Sequence, residues 1–221
     1  MHLEFVKSAA LVMFMYSPVL ALSQAPPIAD RFSFSSTPNK SYGAWPTLLV
    51  QEGASTYLKF DLSAFPSEVT VNKATLRLYV DYVENNGASF DVYQLNTSWT
   101  ENALTAAHAP VLGVSATGGE PVTIASASVN HFVLVDVTTL VQDWLNGTVP
   151  NDGLALALTS GKGTVSFDSK ESVFTSHEPE LEVVLNGPPG PQGPQGAQGP
   201  QGLTGPGRAA RTSRASGHTR T

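Results

Sequence analysis

Between Tyr57 and Leu62 the chain alternates strictly: Leu58, Phe60 and Leu62 fall on one side, Tyr57, Lys59 and Asp61 on the other. Period two marks a strand with one buried face, because successive side chains point to opposite sides of a sheet. The alternation returns with Leu76, Leu78 and Val80 in ATLRLYVDY, and less cleanly in FDVYQL. It appears again with Leu154, Leu156 and Leu158 in GLALAL, Val165 and Phe167 in TVSFDS, and Leu181, Val183 and Leu185 in LEVVL. FVLVDV is apolar on both faces as far as Asp136, which predicts a central strand. Turn-forming clusters separate the runs: NNG at 85–87, TGGE at 117–120 and SGKG at 160–163.

One segment changes period. In DVTTLVQDWLNG, Val137, Leu140, Val141 and Trp144 recur at i, i+3, i+4 and i+7, the stripe of an amphipathic helix. Asp136 or Thr138 can cap its start and Gly147 can end it. Many short strands, Gly-rich turns and one short helix predict an all-β domain, a β-sandwich of jelly-roll type.

The two ends read differently. Residues 1–23 have the layout of a secretory signal peptide: Lys7 in a polar start, the apolar stretch SAALVMFMYSPVLAL, then small Ala21 and Ser23 before a cut ahead of Gln24. An exported β-domain over 24–186 follows. From Gly187 glycine recurs at every third position for seven triplets, through Gly205. Strict glycine register over 187–207 is the requirement of a collagen-like triple helix, since only glycine fits where three chains meet. The pattern therefore predicts a stalk that gathers three heads into a homotrimer. Residues 208–221 are basic, free of acids and without triplet or fold signal. They read either as a charged attachment tail or as a shifted reading frame within a longer collagen-type gene.

Charge and composition remove several functions. All eighteen acids precede Gly187, where only eight basic residues oppose them, so the first 186 residues carry a net charge of −10. That argues against nucleic acid, and against an anionic surface or polymer without a bridging cation. No later stretch is apolar enough for membrane insertion. There is no cysteine, hence no disulfide framework and no thiol chemistry. His108, His131 and His177 show no zinc spacing, and no Gly-x-Ser-x-Gly elbow or phosphate loop occurs, so the chain reads as non-enzymatic.

Several phrases resemble one family in order along the chain. ADRFSFSSTPNKSYG (29–43) is similar to its opening strand and Tyr-Gly loop, and TYLKFDLSAFPSEVTVNKATLRLYVD (56–81) to its central block. SWTEN (98–102), VDVTTLVQDWLNG (135–147), GLALAL, VSFDSKES (165–172) and PELEV (179–183) resemble the rest. This is the DNRLRE-domain family, also classed as carbohydrate-binding module family ninety-six. The resemblance implies a jelly-roll β-sandwich in secreted or surface proteins. It implies binding of polysaccharide or a cell-surface glycan, since some relatives bind acidic polysaccharide such as alginate, and it does not imply catalysis. The alternative is a purely structural surface or matrix protein in which the sandwich is a cap or assembly node.

Sugar rings stack their C–H faces on flat aromatic rings, while nearby amides and carboxylates take hydroxyl hydrogen bonds. Trp45 in the SYGAWPT loop fits no strand pattern and is the leading platform, with Tyr42 beside it. Tyr57 and Tyr79 sit opposite the buried leucines of their strands and either line a groove or pack under a loop. Trp144 belongs to the helix stripe and Trp99 to a structural element. No metal is required; a structural calcium would draw oxygens from the opening strand and its loop, where Asp30 and Asn39 are the candidates, although no Asp-x-Asp-x-Asp run exists. Asp61, Asp136 and Asp168 follow apolar strand residues and are placed to hold turns. Asn39, Asn96 and Asn146 begin Asn-x-Ser/Thr sequons.

Overall fold

A computed structural model describes residues 21–84, 86–159, 162–173 and 177–186. The expected leader up to residue 20, the collagen-like triplets and the basic tail lie outside the described residues. The strands are β1 (Ala21–Ala25), β2 (Pro27–Phe34), β3 (Thr47–Gln51), β4 (Ala54–Phe60), β5 (Val71–Val83) and β6 (Ala88–Leu95). They continue with β7 (Leu112–Ser115), β8 (Val122–Ile124), β9 (Phe132–Asp136), β10 (Leu154–Leu158), β11 (Thr164–Asp168) and β12 (Glu180–Leu185). One α-helix, α1 (Thr138–Leu145), lies between β9 and β10.

Every described pairing is antiparallel, and the arrangement is that of a β-sandwich. One layer runs β1-β12-β5, with β9 and then β11-β3 also reached through β5. The thirteen-residue β5 serves both ends of this layer: its first half pairs with β12 and β9, its second half with β11. The other layer runs β2-β4-β10-β6, with β7 and β8 against β6. β3 and β4 pair only at Gln51 and Ala54, where a tight turn carries the chain from one layer to the other. Gly53 in that turn has φ +76°, a conformation that suits a residue without Cβ.

The alternating residues meet between the layers. Leu58, Phe60, Leu76, Leu78, Val80, Phe90, Val92, Leu154, Leu156, Val165, Phe167, Leu181 and Val183 are all fully buried. Phe90 of β6 meets Phe167 of β11 edge to face at 5.6 Å, joining the two layers. Burying each such side chain contributes about 1.5–3 kcal/mol. The cut expected ahead of Gln24 would divide β1: Ala21, Leu22 and Ser23 fall before it, and Gln24 and Ala25, paired with Glu182 and Leu181, fall after it.

The helix closes one end of the core. Leu140, Val141, Trp144 and Leu145 are buried. Asp136 Oδ1 accepts the Thr138 N–H at 2.9 Å and the Thr138 hydroxyl at 2.6 Å, which fixes the entry to the first turn. At the exit Gly147 takes φ +68°, its N–H donates to Trp144 O, and the Thr148 N–H donates to Asp143 O. That is a Schellman arrangement, which satisfies carbonyls the helix leaves open. Polar side chains fasten the helix to β5: the Val71 N–H donates to Gln142 Oε1 at 2.7 Å and the Ala74 N–H to Thr138 Oγ1 at 2.9 Å.

β9 corrects one expectation. Its apolar run predicts a central strand, yet among the described residues it pairs only with β5. Val135 faces the core, whereas Leu134 is 63% exposed. Phe132 on the same outer face is covered by the Arg77 guanidinium at 4.5 Å and by Tyr79 at 5.2 Å. On the second apolar face, Phe132 therefore meets side chains of β5 rather than another layer, while Leu134 stays in solvent.

Candidate functional site

The outer face of the β2-β4-β10-β6 layer is built from the residues that alternate with the core. Register aligns Arg31, Tyr57, Ala155, Tyr93 and Ser115 in one row across five strands. The next row holds the pair Ser33 and Ser55, then Ala157 opposite Asp91. The first row is partly roofed by the 96–111 segment, which carries short 3-10 turns at Glu101–Ala103 and Ala106–His108. Leu95, Leu104 and Ala155 pack with Tyr57 beneath it, and Trp99 meets Tyr57 edge to face at 6.1 Å. The Trp99 indole N–H donates to Asp152 O at 2.8 Å, which anchors this segment to the approach to β10. The Ala107 N–H donates to Pro38 O, so the 35–46 loop and the 96–111 segment meet.

The second row is left open. Serine and alanine occupy Ser33, Ser55 and Ala157, and their small side chains form the floor of a groove of about 690 Å³. Tyr57, Ala106 and Ala109 close one side, and Gln51, Glu52, Thr159 and Lys162 stand on the other. A smaller depression of about 350 Å³ shares Gln51, Glu52 and Lys162 and continues to Glu84 and Thr164. The two adjoin through these shared residues and offer hydroxyl, amide and charged groups and one aromatic side chain. Asp91, in the floor row, is buried, and its Oδ1 accepts the Val92 N–H and the hydroxyls of Ser115 and Thr117.

The four aromatic candidates separate. Tyr57 lines the groove, although only 5% of it is exposed. Trp45 and Tyr42 come together in the 35–46 loop: their ring centroids are 5.6 Å apart, and both contact Phe32 of β2. Trp45 leaves 49% of its surface in solvent. Tyr42 is buried, stacked on Phe32 at 4.5 Å, with its hydroxyl 2.7 Å from Thr37 Oγ1, so it supports Trp45 rather than offering a face of its own. Lys40 Nζ lies 4.7 Å from the centre of the Tyr42 ring. Tyr79 is on the outer face of the other layer, stacked against His177 at 3.8 Å. Neither Trp45, Tyr42 nor Tyr79 borders the groove. Trp144, read from the helix stripe as core, is buried.

Sequence reasoning did not single out Ser33, Ser55, Ala157 or Lys162. Small residues on a half-exposed strand face carry no chemical signal, and their adjacency comes from register between β2, β4 and β10. The one usable sign was the alternation itself: in GLALAL the outward positions are alanine, too small to fill their face.

The oxygen-rich candidates divide as well. Asp30 on β2 is buried and gathers Glu101 and Glu171, with carboxylate oxygens that all lie within 4.8 Å of one another. Lys170 Nζ reaches Glu101 at 2.6 Å and also contacts Glu171. The Asp30 N–H donates to Glu101 Oε1 at 3.1 Å, and the Lys170 N–H donates to Asp30 Oδ2 at 2.7 Å. Burial pushes the Asp30 carboxyl up to about 7. Burial works to lower Lys170, but its hydrogen bonds to Glu101 and Glu171 outweigh this and hold the ammonium above its usual value. Asn39 is exposed in the 35–46 loop.

The described histidines are engaged separately. His108 Nδ1 lies 3.2 Å from Thr105 Oγ1, His131 Nδ1 lies 2.9 Å from Val129 O, and His177 stacks on Tyr79. No described helix is long and apolar enough to cross a membrane. No curated protein matches the chain. The sequence profile described as carbohydrate-binding module family 96 does match, over residues 21–184, which spans every strand but the last residue of β12. With a sandwich of this kind under a match of that length, the chain belongs to carbohydrate-binding module family 96.

Proposed function

We propose that the protein is a secreted, non-catalytic glycan-binding adhesin. Its jelly-roll head takes a polysaccharide or cell-surface glycan along the trough on the outer face of the β2-β4-β10-β6 layer. A collagen-like stalk over 187–207 presents the head in threes at the cell surface or outside the cell. Membership of a carbohydrate-binding family supplies the ligand class. The observation that carries the location is the floor of Ser33, Ser55 and Ala157, which leaves a depression where larger side chains would fill it. An extended chain of sugars fits such a trough, with hydroxyls bonding to Ser55, Gln51, Glu52 and Lys162 and one ring edge meeting Tyr57. Trp45 is a second, exposed platform outside the trough, held in place by Phe32 and Tyr42.

Ala157→Arg tests the location, because it plugs the groove from an outward-facing position. Retardation in native gels containing different polysaccharides measures binding, and thermal melting measures folding. The expected result is loss of retardation with the melting temperature held within a few degrees. Full retardation by a folded Ala157→Arg protein would remove the groove as the site.

A further inference from the structure

We propose that Asp30, Glu101 and Glu171 form a divalent-cation site suited to calcium, where β2, the 96–111 segment and the loop after β11 converge. The three carboxylates come from distant parts of the chain, yet one oxygen from each falls within a 4.8 Å span. Oxygens on opposite sides of a calcium ion, each about 2.4 Å from it, lie up to about 4.8 Å apart. The cluster has matching dimensions.

A second observation points to a ligand. The Asp30 side chain is 0% exposed, and its Oδ1 is buried without a hydrogen-bond partner. Its companion Oδ2 is held by the Lys170 N–H, so the carboxylate cannot rotate away to satisfy both oxygens. Oδ1 is turned into the cluster, where it is ion-paired with Lys170 Nζ at 3.6 Å, too long for a hydrogen bond. A buried carboxylate oxygen left in this state is costly, and a cation at the centre of the cluster removes the cost.

Lys170 is the competing counter-ion. Even with the Asp30 carboxyl partly protonated, Glu101 and Glu171 outnumber the one ammonium and leave an excess of negative charge. The Lys170 side chain is 20% exposed, so its ammonium can withdraw to solvent while its backbone N–H keeps Asp30 oriented. The donors are all carboxylate oxygens, without imidazole or thiolate, which selects a hard cation. Calcium accepts irregular oxygen sets completed by water, whereas magnesium demands near-octahedral geometry and gives up its water reluctantly. The ion would cross-link β2, whose Ser33 floors the groove, to the segment whose Ala106 and Ala109 wall it.

The test uses the full-length protein, stripped with a chelator and titrated with calcium chloride alone, with no sugar present. Its outcome is therefore independent of the glycan reading. Calorimetry should show one site per chain, and calcium should raise the melting temperature by about 3–8 °C over chelator. Glu171→Gln, in a loop, should lose the shift while remaining folded. Lys170→Met should bind calcium more tightly than the parent, because the competing charge is gone. Asp30→Asn should also lose the shift; if that variant fails to fold, Glu171→Gln decides. Absence of heat and of any shift in the unmodified protein overturns the site. So does a calcium shift that survives Glu171→Gln, and so does a Lys170→Met protein that is destabilised and gains no calcium affinity.

Discussion

Trp144 and Trp45 show how one residue type takes opposite roles in the same chain. Trp144 faces the core from α1, and only 7% of it is exposed. Truncation to alanine should cost about 3–5 kcal/mol, the range for removing a large buried aromatic ring. Its indole nitrogen has no hydrogen-bond partner among the described residues, so Trp144→Phe should cost much less than Trp144→Ala. Urea unfolding of both variants measures the difference, and equal losses would mean that the indole N–H matters. Trp45 is half exposed and rests edge-on against Phe32 and Tyr42. Trp45→Ala should change stability by less than about 1 kcal/mol. It should weaken glycan retention about three- to tenfold, the value of one ring contact. Unchanged retention beside a binding parent protein would reduce Trp45 to a cover for the Phe32 edge. A Cβ at Gly43 would fall 1.3 Å from Arg31 Nη2, so the guanidinium would have to shift to admit it.

At the scale of elements, the entry to α1 depends on a carboxylate. Asp136 accepts two hydrogen bonds from Thr138, and these hold its carboxyl below the usual value of 3.8. A carboxyl depressed in the folded state contributes stability that is fully present above its unfolded value and is lost as pH falls through the lower folded value. The contribution therefore disappears only in acid below about pH 4, and the protein should show no loss from this group between pH 5 and 8. Asp136→Ala should cost about 1 kcal/mol at neutral pH, as for loss of a helix cap. The gap between parent and variant should close in strong acid. Melting curves across pH 2.5–7 check this, and a gap that stays constant would mean that the carboxylate form is not what holds the turn. β9 misled the reading of the sequence for a different reason. On its outer face Phe132 is covered by Tyr79 and Arg77 of the neighbouring strand, and Leu134 is left exposed, so no further layer is needed.

For the whole molecule, the proposed reading gives the collagen-like triplets a purpose. If the trough is the glycan site, its openness implies modest affinity per head. Joining three heads makes later contacts intramolecular, so avidity can exceed single-site affinity by about 10²–10⁴ without new contacts. Residues 187–207 in polyproline-II geometry would span roughly 60 Å, enough to hold the heads clear of a surface. The full chain should sediment as a trimer in cold buffer. Gly196→Ser should weaken it, since a side chain cannot fit on the triple-helix axis. Analytical ultracentrifugation, with circular dichroism for a polyproline-II signal that melts cooperatively, is the measurement. A monomer without that transition would leave the triplets as a linker.

What the amino-acid order determined by itself was local and periodic. The alternation in YLKFDL, ATLRLYV and GLALAL predicted which residues face the core, because the side-chain period of a strand is two whatever the strand pairs with. The 137/140/141/144 stripe predicted α1 and the burial of Trp144 for the same kind of reason, and Gly147 marked its exit; at the entry the cap position is Val137, with Asp136 bonding Thr138 beside it. The ordered phrases from ADRFSFSSTPNKSYG to PELEV were enough to indicate the family. Tertiary structure decided which strands are neighbours, and the site depends on that. Ser33, Ser55 and Ala157 share a floor only because β2, β4 and β10 pair in one register. Asp30, Glu101 and Glu171 share a cluster only because three distant segments cross at one end of the sandwich. Tyr57 and Tyr79 look equivalent along the chain, since both lie opposite buried leucines, yet β4 and β5 belong to different layers and turn them to different sides of the molecule. Alternation specifies inside and outside within a strand, whereas adjacency between strands is set by long-range pairing that no local pattern encodes.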